Sequence, residues 1–197
     1  METKSPFYIV ENFISPLMCE ELIDLCDFNI PNKDTANNYI KTSKTCEQAE
    51  LIIYDRLVPL LPKLQAHYNL VYRGTERVQF EFIPEGADSK HQCENAEFVR
   101  SKWLRTKSRD LSAILFMSDY QEQVPFEEDY EVLGGKLEFA QHKFGFNPAR
   151  GTLVVFPSDP HFINNTTPVL VGDLYQARIQ IAATVPYIYQ PALFPGN

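Results

Sequence analysis

Two of the four histidines stand where chemistry could be done. His91 lies in SKHQCENAEF, after a strand-like run and a glycine loop, FIPEGADSK; His161 follows GTLVVFPSDP, a second strand-like run closed by a proline-rich turn. Two imidazoles at the ends of separate strands can converge at the mouth of a β-sandwich. With one carboxylate they form the facial set that leaves positions open on Fe(II). The carboxylate is the irregular part. Residues i and i+2 of a regular strand share a face, but the residue two after His91 is Cys93, and Glu94 comes one later. A local bulge would return Glu94 to the side of His91. Cys93 keeps the regular spacing, but a soft thiolate suits such an ion poorly. A set with no protein carboxylate is a further alternative, and Asp88 has the wrong order. His67, ending a helical run, and His142, beside a turn, read as structural or exposed.

The elements that must position these residues change character along the chain. The first third is helical: Ser15 can cap a helix with Pro16 in its first turn. A second helical stretch covers Cys46 to His67, where Pro59 and Pro62 must kink or split it. Between them NIPNKDTANNYIKTSKT reads as a polar loop. From about Glu76, ERVQFEFI alternates with Val78, Phe80 and Phe82 on one face. LSAILFMS, GGKLEF, GTLVVFP, PVLVG and YQARIQIAATV follow as short strands between Gly, Pro and Asn turns. Such spacing points to a sandwich or barrel with the helices packed on one face.

The 197 residues fit one domain, with a helical part at about 1–75, strands at about 76–185 and a tail at 186–197. No apolar run could span a bilayer and the N-terminus lacks a secretory pattern, so a cytoplasmic protein without a membrane is expected. Cys19 and Cys26, seven apart on the first helix, read as buried thiols. A net charge of −8 argues against a general nucleic-acid binder. Locally, RSKWLRTKSR carries five cations around Trp103, which could stack a base, and SDYQEQVPFEEDYEVL is strongly acidic. Solvated loops are the plain reading of both; a charge-selecting entrance or a mobile lid is the functional one.

GGKLEF followed by NPARGTLVVFPSDPHFINNTTPVLVGDLYQARIQI resembles the catalytic half of the 2-oxoglutarate- and Fe(II)-dependent oxygenases, prolyl-4-hydroxylase-like branch. The matching features are Gly134, Gly135 and Leu137, then Pro148 and Gly151, Phe156–Pro157, His161, Pro168–Val169, Gly172 and Arg178. Upstream, FEFIPEGADSKHQCENA is similar to that family's strand, glycine loop and His-x-Asp-Asn segment, with one residue inserted and Glu for Asp. The resemblance implies a mainly β (α+β) fold, a double-stranded β-helix or jelly-roll with N-terminal helices packed on its major sheet. It also implies iron held by His91, Glu94 and His161, and Arg178 paired with the distal carboxylate of 2-oxoglutarate. Arg178 lies six residues after Gly172, farther than the family's usual spacing, and no other basic residue follows His161. The implied cofactors are Fe(II), 2-oxoglutarate and O2, with ascorbate a further candidate. The implied reaction is hydroxylation of an unactivated C–H bond, with a prolyl residue in a peptide or protein leading. A small metabolite or a nucleobase is the alternative substrate, and halogenation with chloride in place of the carboxylate is an alternative reaction. From other classes come a catalytically inactive jelly-roll binding module and a cupin-type isomerase, the latter with no use for Arg178.

Overall fold

The computed structural model describes residues 4–26, 28, 41–42, 46–124 and 129–194. In chain order the elements are β1 (Tyr8–Val10), α1 (Pro16–Leu25), β2 (Lys41–Thr42), α2 (Glu47–Leu57), α3 (Leu61–Tyr68), β3 (Tyr72–Thr75), β4 (Gln79–Ile83), β5 (Ala96–Val99), β6 (Lys102–Arg105), β7 (Leu111–Phe116), β8 (Asp119–Tyr120), β9 (Glu131–Gly134), β10 (Leu137–Phe139), β11 (Phe144–Phe146), β12 (Leu153–Pro157), β13 (Asn165–Thr166), β14 (Val169–Gly172) and β15 (Leu174–Ala183). Ser15 caps α1 by accepting from the Met18 amide at 3.2 Å, with Pro16 as its first residue. The second helical stretch splits at its prolines, since each lacks an amide donor: a 3-10 turn, Val58–Leu60, separates α2 from α3. Most of the polar loop after α1 lies outside the described residues, but it includes β2, which pairs with β4.

The strands form one large sheet in the order β1-β12-β7-β15-β4-β2, with β3 also on β15, faced by two small sheets, β11-β10-β13 and β14-β9-β8. This is a mainly β jelly-roll with helices at its N-terminal end. Leu22 and Ile23 of α1, Ile53 and Leu57 of α2, and Leu64 and Tyr68 of α3 share one buried cluster with Phe80, Leu115, Val155 and Ile179 of the large sheet. Burying some 25 cal/mol per Å2 of apolar surface drives this packing. Cys19 and Cys26 are buried within it, as their helical spacing predicts. The tail returns to the same cluster through Tyr187, Tyr189 and Phe194. Among the described residues no helix is long and apolar enough to cross a membrane.

Two segments differ from the sequence reading. RSKWLRTKSR is not a simple solvated loop: it holds β6 and the tight turn at Arg100–Ser101, both at positive φ, that closes the β5–β6 hairpin. The acidic stretch contributes β8, parallel to β9, and its centre at 125–128, where the lid was expected, lies outside the described residues.

Candidate functional site

Both faces of β15 are buried, so the strand carries apolar residues on one side and polar ones on the other. Ala177, Ile179 and Ile181 join the helix-side core. Gln176, Arg178 and Gln180 share the opposite face by strand alternation, and all three are buried. Their partners come from neighbouring strands. Gln176 lies opposite Glu81 of β4 and Gln180 opposite Ser112 of β7. The Gln176 amide donates to Glu81 Oε2 at 2.6 Å, and Arg178 Nε donates to Glu81 Oε1 at 3.2 Å. Ser112 donates to Gln180 Oε1 at 2.8 Å and also lies 2.7 Å from the Ser158 hydroxyl.

Glu94 closes this chain of hydrogen bonds. Its Oε1 accepts from Arg178 Nη1 at 2.6 Å and its Oε2 from the Gln180 amide at 3.0 Å. Arg109 approaches Oε2 at 3.5 Å while forming a bidentate pair with Glu76. Glu94 is 6% exposed and Arg178 2%. Breaking a buried pair of this kind costs about 3–5 kcal/mol, because the remaining charge has no water to replace its partner. Burial by itself would lower the Arg178 pKa, but the charges of Glu81 and Glu94 outweigh it and hold the guanidinium above its usual range. The expected carboxylate is therefore inside the barrel, with both oxygens bonded to donors from β15.

The histidines are elsewhere. His91 is exposed, and the His161 side chain is 61% exposed, with Nδ1 2.9 Å from Asp159 Oδ1. Among the described residues no three His, Cys, Asp or Glu side chains come together as a metal site. Gln92 and Asn164 form an antiparallel bridge, exchanging amide bonds at 2.9 and 3.1 Å. Asn164 is 1% exposed and Gln92 half-buried, while Glu94 lies in the bend that follows, buried against Arg178. The sequence reading missed Gln92 and Asn164 because it started from the histidines. Asn164 Oδ1 is buried and has no hydrogen-bond partner among the described residues.

This donor set does not fit Fe(II). Such a site wants two imidazoles and a free carboxylate, whereas Glu94 is already bonded to Arg178 and Gln180 and both histidines are exposed. A divalent ion at Glu94 would also meet the positive charges of Arg178 and Arg109, which at a few ångströms costs on the order of several kcal/mol. Burial raises the Cys93 pKa, and its thiol donates to the Ser158 carbonyl at 3.5 Å. Arg178, expected to meet an external carboxylate, is paired with two internal ones.

The architecture is the double-stranded β-helix of the prolyl hydroxylases. A viral collagen prolyl hydroxylase from Paramecium bursaria Chlorella virus-1, in its 2OG complex, superposes with a TM-score of 0.64 at 16% identity, covering 92% of this chain and 97% of that one. A Pseudomonas putida prolyl-4-hydroxylase gives 0.59 at 15% identity over 90% and 92% of the two chains. A Trichoplax adhaerens prolyl hydroxylase, in complex with a hypoxia inducible factor oxygen degradation domain peptide fragment, gives 0.60 at 13% identity over 90% and 84%. No protein-family model and no curated protein sequence matches the chain.

Proposed function

We propose that this chain is a binding module on the prolyl-hydroxylase scaffold that does not carry out the oxygenase reaction. One observation carries the reading: the candidate carboxylate, Glu94, is buried on Arg178 and Gln180, while His91 and His161 stand at the surface. The β5–β6 hairpin, rooted beside Glu94, is its contact surface. It exposes Phe98, Val99, Trp103 and Leu104 together with Arg100 and Lys102, a combination suited to a peptide or protein partner. The test is anaerobic visible absorption with Fe(II) and 2-oxoglutarate, followed by succinate release in air. No charge-transfer band and no succinate above the buffer rate are expected.

Similarity in fold to the viral enzyme in its 2OG complex favours a second reading, hydroxylation of a peptidyl proline with Fe(II), 2-oxoglutarate and O2. It requires Glu94 to leave Arg178 and a histidine to turn inward. A charge-transfer band with succinate release would establish that reading and overturn the first.

A further inference from the structure

We propose that Glu94 is a built-in carboxylate ligand for Arg178, filling from within the chain the position an external carboxylate would take. The inference rests on the non-catalytic reading of this same site and extends it to small anions. Three observations support it. Of the two carboxylates on Arg178, Glu94 is supplied by a connecting segment, whereas Glu81 is fixed on β4 directly beside β15. The contact of Arg178 with Glu94 is the shorter, at 2.6 Å against 3.2 Å for Glu81. Finally, Glu94 meets donors at both oxygens, Arg178 Nη1 on one and the Gln180 amide on the other, as a bound carboxylic acid would. Arg178, Gln180 and Arg109 together thus form a carboxylate receptor whose occupant is tethered to the backbone. A tethered ligand has no translational freedom to lose on binding, so it outcompetes a free one of the same chemistry.

Truncating the tether should empty the receptor and leave it able to take a small free carboxylate. Glu94→Ala removes the carboxylate with one methylene, a volume close to that of acetate. The experiment is thermal unfolding of wild type and Glu94→Ala without metal, with acetate or formate titrated against chloride at matched ionic strength. The variant is expected to melt roughly 10 °C below wild type. Acetate at about ten times its Kd should return roughly 4 °C of that, while wild type does not respond. Recovery with acetate and chloride alike would mean charge screening only and would overturn the proposal. So would a folded variant that ignores all three anions, or a wild type stabilised by acetate to the same degree.

Should Glu94→Ala fail to fold, Glu94→Gln, Arg178→Gln and the double variant replace it. A double variant more stable than Arg178→Gln alone supports the pairing, and additive losses overturn it. Succinate release by wild type would defeat the non-catalytic reading, whereas absence of anion rescue defeats only this inference.

Discussion

At the scale of single residues, a carboxylate and an imidazole three positions apart meet opposite environments: Glu94 is buried and His91 exposed. His91→Ala and His161→Ala are therefore expected to shift the melting temperature by no more than about 2 °C, as surface changes do. A drop beyond about 5 °C for either would mean that the imidazole has an interior role. That Glu94 matters was legible in the sequence, because a carboxylate stands near a strand end in the right order. Its partner was not. A glutamate that receives a metal and one that neutralises an arginine look the same in one dimension, and only the 2.6 Å contact with Arg178 separates them. Asn164 carried no signal either, since an asparagine in INNTTPV reads first as a turn residue.

At the scale of elements, the β5–β6 hairpin was the hardest to read. Its apolar residues do not alternate cleanly with polar ones, because both faces are open to solvent, and its turn is Arg100–Ser101 rather than the usual Asn-Gly or Asp-Gly. Its root is fixed: the Asn95 carbonyl accepts from the Thr106 and Lys107 amides, and the Asn95 side chain donates to the Arg109 carbonyl at 3.0 Å. Trp103 is the chain's single tryptophan and packs on Phe98 with ring centroids 5.2 Å apart. Tryptophan fluorescence, excited selectively over the ten tyrosines, therefore reports on this hairpin. Iodide should quench it more effectively than caesium, because Arg100, Lys102 and Lys107 concentrate anions nearby, and the difference should shrink with added salt. Equal quenching by the two ions would show that these cations do not set the local potential. By contrast, the helix cap at Ser15, the break at Pro59 and Pro62, and the strands around LSAILF and GTLVVFP were all legible. Capping, a missing amide and turn punctuation are local physics, whereas sheet pairing is not.

At the scale of the whole molecule, two histidines tie distant parts together. His67 Nε2 lies 2.8 Å from the Ser5 carbonyl, and its ring meets Tyr8, Tyr68 and Phe194. His142 Nε2 lies 2.9 Å from the His161 carbonyl, with its ring stacked on Phe162. Burial is the main cause that lowers both pKa values below 6.5; the hydrogen bonds to the Ser5 and His161 carbonyls oppose it, the charges of Lys4 and His161 add to it, and Asp159 opposes it at His142. The unfolded chain thus takes up protons at these sites before the folded one does. Their contribution is complete above about pH 6.5 and is lost as pH falls through the folded-state values. Melting temperature should decline between about pH 7.5 and 5.5, and His67→Gln with His142→Gln should flatten that decline. An unchanged slope in the double variant would assign the effect to other groups. The jelly-roll itself was readable from the order of motifs. The return of Tyr187, Tyr189 and Phe194 to the core was not, because a short aromatic tail between prolines has no periodicity.

The position of β15 has a consequence for synthesis. This ten-residue strand lies between β7 and β4 in the large sheet, yet it is made after both of them and after every other strand described. Until it arrives, β4 and β7 each present an open edge, the kind of surface that recruits other chains. The carboxylates of Glu81 and Glu94 also wait for Arg178, which arrives on the same strand. Closure of the sheet and neutralisation of its interior are thus a single late event set by non-local contacts, and such contacts make folding slow. A nascent chain stalled before Leu174 would be the species most in need of a chaperone.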